Sequence, residues 1–375
     1  MPLAIQPFDA THHEAVRDFN RRMAAGGSTW RFPESPLPSW LARVPESPVF
    51  QEFFIATEGE VVRGAYALQR RPARIGDEER SVGAWYLPVS EGSIDPKHAL
   101  VATLLMRDAL RREPLSYGLG MDGMDSQLSK LAGAMRCERR LVPFFVRIER
   151  GGRFAREARY VRKNAGLAAL LDLAAVTGLA TLGAALVKRA LRRGPGLAGA
   201  TLETVPEFGP WADELWQRCR GRYSFVELRD AATLARIYPP ERPRFERLRI
   251  SRGGQVIGWA VLQRAEMKDS AKFGSLHVGR ITDAFAAPED AGVVTRAAAD
   301  TLAARSVDLM VSNQLHPAWC AALRRNAFVS GPSNYVFAPT AQLAERIRAL
   351  DPDYENVHLN RGDGDGPWGN DPRSF

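Results

Sequence analysis

Asp283 stands inside the apolar run Ile281–Ala286, beside only one other polar residue, Thr282. A carboxylate buried in such surroundings is a poorly solvated anion and a candidate general base for an amine or a hydroxyl. The plainer alternative is an ion pair with Arg280 or Arg264. Asn313 and His316 follow a short apolar stretch in the same half of the chain. His316 precedes Pro317 at a helix start, which favours a capping role. Trp85, Tyr86, Glu91 and Asp122 are the corresponding residues of the first half; the aromatics suit a core or rim, and Glu91, in a loop, suits solvent. Other chemistries are excluded. The histidines, His12-His13 included, lack ligand spacing, so no metal is expected. There is no Gly-x-Ser-x-Gly elbow and no phosphate loop. Cys137, Cys219 and Cys320 are odd in number and far apart, which excludes a disulfide scaffold and suits a reducing compartment. The opening Met1–Asp9 has neither a basic nor an apolar signal region, so a cytoplasmic location is expected.

The elements that must position these residues come in two sets. Gly64-Ala65-Tyr66-Ala67-Leu68-Gln69-Arg70 recurs as Gly258-Trp259-Ala260-Val261-Leu262-Gln263-Arg264. Each copy sits in a hairpin whose turn is Glu58-Gly59-Glu60 or Gly253-Gly254-Gln255. A third strand follows (82–89; 277–286), then a helix (97–112; 289–305), a short strand (115–120; 307–312), a second helix (126–135; 317–328) and a closing aromatic strand, Phe144-Phe145-Val146 or Tyr335-Val336-Phe337. The opening helix also repeats, at 15–23 and 211–219. The reading is an α/β protein with two similar mixed-sheet domains: residues 1–150, a connector at 151–197, residues 198–343, and a helix with an irregular tail at 344–375.

This order resembles the GNAT acyltransferase superfamily, and the doubling resembles its tandem members, Fem-type aminoacyl transferases among them. The resemblance implies that the fourth and fifth strands splay apart to admit the pantetheine arm of an acyl-CoA. It also implies that the diphosphate rests on the loop opening the next helix, where free N–H groups and the helix dipole favour anions. The corresponding loops run over 88–96 and 285–293, which makes Val89, Gly92, Ser93, Phe285, Ala286 and Gly292 the expected donor-binding residues. Neither loop carries the superfamily's Arg/Gln-x-x-Gly-x-Gly/Ala pattern, and both place acids there; Pro and acids in a first turn equally suit a plain helix start. The tyrosine that many members use as general acid is replaced by Ser129 or Lys130 in one half and by Leu323 in the other. By the same resemblance Asp283, Asn313 and His316 are the expected catalytic residues. The implied reaction moves an acyl group from acyl-CoA to an amine or hydroxyl of a small molecule, a glycan or a lipid precursor. The alternatives are a non-catalytic binding protein and a Fem-type transferase that uses aminoacyl-tRNA.

The net charge of +8 is local. Between Arg147 and Arg193 there are eleven Lys/Arg and three Asp/Glu, and the rest of the chain is balanced. Arginines at 147, 150, 153, 156, 159 and 162 lead into residues 165–187, where Asp172 is the single charge. That stretch is long enough to span a bilayer but weakly apolar. Two roles are open for it ahead of spanning. One is a helix buried between the domains; the other is a helix pair docked on an anionic membrane at the inner face. A tRNA arm is a further alternative. Asp-Gly alternation at 363–366 lacks the Glu of a calcium loop, so 361–372 is expected as tail.

Overall fold

The computed structural model describes residues 2–159, 165–191, 196–197, 199–270 and 273–368. The arginine at 162, Lys163, Arg192, Arg193 and the end of the expected tail lie outside the described residues. In chain order the first half contains β1 (Leu3–Pro7), α1 (His13–Ala25), β2 (Phe50–Glu58), β3 (Val61–Ile75), β4 (Glu78–Ser90), α2 (Leu100–Arg112), β5 (Ser116–Gly120), α3 (Gln127–Ala134), β6 (Arg140–Leu141) and β7 (Phe144–Ile148). The arm is α4 (Gly151–Glu157), α5 (Ala165–Val176) and α6 (Leu179–Leu191). The second half contains β8 (Ala200–Val205), α7 (Pro210–Cys219), β9 (Phe225–Glu227), α8 (Ala231–Ile237), β10 (Glu246–Arg252), β11 (Gln255–Glu266), β12 (His277–Ala286), α9 (Ala291–Ala304), β13 (Leu309–Asn313), α10 (Pro317–Arg325), β14 (Val329–Gly331), β15 (Val336–Pro339) and α11 (Ala341–Leu350).

These elements form two compact units, one of residues 1–141, 225–228 and 334–353, the other of 142–224, 229–333 and 354–375. The first sheet runs β1-β2-β3-β4-β5-β15-β6, with β9 on β3; the second runs β14-β7-β13-β12-β11-β10-β8. Both are antiparallel except at one parallel pair, β4 with β5 and β12 with β13. The strand order is therefore the same in both units, with one departure from the continuous boundaries read from sequence. The aromatic strand that closes each half lies in the other half's sheet: β15 pairs with β5, and β7 with β13. Both closing strands are short and apolar, and nothing in their composition specifies which sheet edge they extend.

The repeated heptapeptide explains itself on the sheets. A Cβ at Gly64 would lie 2.8 Å from Val101 of α2, and one at Gly258 2.4 Å from Val294 of α9. In both units this glycine lets the crossover helix press onto the hairpin. Leu68 and Leu262 are fully buried in the cores formed there. Gln69 and Gln263 face the other side of each sheet, where each amide oxygen accepts two bonds: from Arg71 and Tyr86, both 2.9 Å, and from Arg280 and Thr282, the latter 2.8 Å.

The C-terminal segment is no loose tail. α11 packs in the first unit, and residues 357–363 are buried in the second. The alternation Val357, Leu359 against His358, Asn360 is a strand-like pattern that the glycines and acids just after it obscure.

Candidate functional site

In the first unit β4 and β5 pair from Gly83–Ser116 to Trp85–Gly118, and β4 then runs on to Ser90. A bulge interrupts its ladder with β3 between Tyr86 and Val89, which bends the strand and turns its backbone out of register. The indole of Trp85 lies against Gly118, where a Cβ would come within 2.3 Å of its ring and 2.4 Å of Met121 Cε. β5 ends in a run of positive φ: Gly120 at 112°, Met121 at 71°, Asp122 at 56° and Gly123 at 99°. For Met121 and Asp122 this conformation costs about 1–3 kcal/mol each. Asn334 Nδ2 helps hold it, donating to Asp122 Oδ1 at 3.1 Å. A diverging strand pair ending in a strained turn is the most site-like geometry of this unit.

On the opposite face of the same strands is a buried polar cluster that the sequence did not announce. Arg71 of β3 meets Glu227 of β9 at 2.7 Å, and the Tyr117 hydroxyl of β5 donates to the same carboxylate. Both ionic partners are buried, so the pair is held by its hydrogen bonds rather than by solvent. Glu227 escaped sequence reasoning because β9 is an insertion without counterpart in the repeat.

The loop after β4 does not offer an anion seat. Glu91 is buried, and its two oxygens take Arg22 Nε at 2.6 Å and Arg63 Nη1 at 2.9 Å. Burial opposes its ionisation, but the bonds from Arg22 and Arg63 prevail and hold the carboxyl below its usual range. The expectation of a solvated Glu91 gives way, because the two arginines already have their anion in this side chain. The Gly92 N–H donates to Ser90 Oγ at 3.1 Å, and Ser93 Oγ donates to Ser90 O at 2.9 Å. His98 O blocks a Cβ at Gly92 at 2.5 Å, and Val89 pairs with Ala65. Val89, Gly92 and Ser93 thus build the loop from within.

The second unit repeats the divergence: β12 and β13 pair from Val278–Leu309 to Arg280–Val311. Here the chain's own C-terminal segment enters beside the diverging strands. Leu315 N donates to Leu359 O at 2.9 Å, Gln314 forms a bridge with Asn360, and Arg280 reaches Gly366 O at 3.3 Å. Asp283 lies at the centre. It accepts from Tyr238 Oη at 2.9 Å, Asn360 Nδ2 at 2.9 Å and Arg229 Nη2 at 3.2 Å, and Arg229 also holds Asp363 at 2.5 Å. A Cβ at Gly362 would stand 2.5 Å from the Asp283 carboxyl carbon. The expectation of a reachable base is corrected: Asp283 is sealed and fully engaged, and its cation is Arg229 rather than Arg280 or Arg264. His358 Nε2 meets Ala284 O at 3.0 Å; burial first, and nearby Arg229 second, push this imidazole well below its ordinary pKa, so it is neutral and donates to the carbonyl.

The remaining expected residues serve the packing around that seal. Asn313 Oδ1 accepts from Arg361 at 3.4 Å. His316 caps α10, with Nδ1 accepting from Ala318 N at 3.1 Å, and so takes the capping role. Phe285 is buried between Trp216, Tyr223 and His358, Ala286 O accepts from Tyr223 Oη at 2.7 Å, and Gly292 O accepts from Asn326 Nδ2 at 3.0 Å. The acids of this loop are paired too, Glu289 with Arg222 and Asp290 with Arg252. The three predicted catalytic residues therefore stand near one another, but as the wall of a filled space. Ser129 and Leu323, in the place of the superfamily's tyrosine, are both buried. Neither loop fits the diphosphate of an acyl-CoA as it stands. Among the described residues no cluster of His, Cys, Asp and Glu could hold a metal.

No protein-family model matches the sequence, and no curated protein matches it. Solved structures do match. N-myristoyltransferase from Saccharomyces cerevisiae with bound myristoyl-CoA aligns over 90% of this chain and 83% of its own, at 10% identity and a TM-score of 0.55. A GCN5-related N-acetyltransferase from Anabaena variabilis aligns over 90% and 72%, at 9% identity and a TM-score of 0.52. The fold is the GNAT fold that these structures share, here with two mixed sheets of like strand order in one chain.

Proposed function

We propose that this protein is an acyltransferase that takes a thioester donor along β4 of the first unit and passes its acyl group to an amine or hydroxyl. The observation that carries the reading is the contrast between the two divergences. The one in the second unit is stitched to the C-terminal segment, whereas the one in the first unit ends in the strained turn at Met121 and Asp122. Strain of this kind is concentrated at functional sites, and a bulged strand edge can present backbone donors to a developing oxyanion. In the reaction the acceptor nitrogen or oxygen bonds to the thioester carbon, the C–S bond breaks, and the acceptor's proton leaves with the thiol. Positioning and carbonyl polarisation are the contributions that need no dedicated tyrosine. Acyl-CoA is the donor the fold suggests, its diphosphate lying outside the grip of the loop. A small-molecule, glycan or lipid-precursor acceptor fits the same chemistry.

The test is release of free thiol from a panel of acyl-CoAs of two to sixteen carbons, run against amine and hydroxyl acceptors and followed by a thiol reagent. The expected result is acceptor-dependent release with one chain-length class. Absence of release, together with no thermal protection of the protein by any acyl-CoA, would remove the reading; a saturating ligand at a hundred times its Kd stabilises by about 2.7 kcal/mol and could not be missed.

A further inference from the structure

The arm between the repeats has work to do that acyl transfer does not explain. α5 and α6 form a hairpin through Thr177-Gly178, with Gly178 at φ 77°. Both pack on α4: a Cβ at Gly151 would lie 2.1 Å from Ala180 O and 3.0 Å from Ala184, and one at Gly152 3.1 Å from Thr181. α4 in turn is held to the second unit, where Arg150 and Arg153 pair with the buried Asp308 and Arg159 pairs with Asp269. The first arginines of the basic run are thus anchors.

The other side of the hairpin carries the reverse of a buried face. Leu167, Leu173, Val176, Leu179, Leu182, Leu186 and Leu191 are all exposed, Val176 by 79% and Leu173 and Leu179 by 61% each. Leu179, Leu182 and Leu186 follow one another at helical spacing and make a single stripe along α6. Within the second unit these side chains are not buried. With Arg159 taken up by Asp269, seven other Lys/Arg, at 156, 162, 163, 188, 189, 192 and 193, bracket the stretch, with Glu157 and Asp172 the acids between them. The helices have 12 and 13 residues, about 18–20 Å each, too short for a bilayer core of about 30 Å; among the described residues no helix is long and apolar enough to cross a membrane.

We infer that the α5–α6 hairpin lies in the surface of an anionic membrane, its leucine stripe among the acyl chains and its basic brackets on the headgroups. The charge selects the occupant. A second copy of this chain would bring the same cations against these, whereas anionic headgroups complement them. The inference is independent of the acyl-transfer reading and would stand if that reading failed.

Co-sedimentation of the full chain decides it, with vesicles of phosphatidylcholine alone and of phosphatidylcholine with phosphatidylglycerol. The expected result is binding to the mixed vesicles only, weakened at least tenfold by raising the salt from 0.1 to 0.5 M. Leu182→Ser with Leu186→Ser, and separately Arg156→Glu with Arg189→Glu, should each lower the partition coefficient at least tenfold. Both pairs are exposed, and an unchanged melting temperature verifies that they fold. Equal binding to both vesicle types, no binding to either, or a concentration-dependent dimer abolished by the leucine pair without vesicle binding would each overturn the inference.

Discussion

Replacing Arg229 by Met tests the seating of the C-terminal segment, on which the division of labour between the two units depends. Arg229 stands 3.2 Å from Asp283 and 2.5 Å from Asp363, with all three side chains at most 3% exposed. Without the cation two carboxylates remain in one buried space, and the donors left on Asp283, Tyr238 and Asn360, are neutral. Removing one partner of a buried ionic group costs about 3–5 kcal/mol, because the other is left uncompensated. For a body of this size each kcal/mol lowers the melting temperature by about 2–4 °C. The expected drop is about 6–20 °C in the transition of the second unit, read by calorimetry. Adding Asp283→Asn and Asp363→Asn to the same variant should recover most of it, since no charge then remains to be balanced. A loss below about 1 kcal/mol would mean that water reaches the cluster and that the segment does not fill the space as described.

Glu91→Gln should cost about 1–3 kcal/mol at pH 7 by breaking the bonds to Arg22 and Arg63. Because the native carboxyl titrates below its ordinary value of 4.5, the wild-type advantage is full above that value and fades as pH falls below it; urea titrations at pH 7 and in the acid range show this or refute it. The same substitution leaves Arg22 without its anion and Arg63 with Glu58 alone, so calorimetric titration with inorganic pyrophosphate should detect binding that the wild type lacks. Acyl-CoA and the matching acyl-pantetheine should bind the wild type within about tenfold of each other, since one gripped phosphate would add about 1.5–3 kcal/mol per bond; a larger gap would show that the loop does hold the diphosphate. Burial pushes the thiols of Cys137 and Cys320 up to about 11 and raises that of Cys219, so a thiol reagent at pH 8 should label none of them before unfolding.

Much of the fold was legible because the repeat doubles each signal. Gly64 and Gly258, Leu68 and Leu262, and Gln69 and Gln263 hold paired positions whose packing roles match. The exchange of β7 and β15 was not legible, since Phe144-Phe145-Val146 and Val336-Phe337-Ala338 are apolar strands that either sheet edge would accept. At the candidate site the sequence placed Asp283 in a buried strand but could not supply its partners. Arg229 stands beside an inserted strand, and Asn360 and Asp363 lie in a segment whose glycines and acids read as tail. Met121 and Asp122 gave no sign of strain, because positive φ at a non-glycine residue is imposed by tertiary packing.

Hydrogen–deuterium exchange with and without a bound thioester addresses the central claim most directly. The divergence of β4 from β5 in the first unit predicts ligand protection at residues 83–93 and 116–123, with 280–286 and 309–316 unchanged because the C-terminal segment already covers them. Protection of 280–286 and 309–316, with 83–93 and 116–123 unaffected, would place the donor in the second unit and contradict the account.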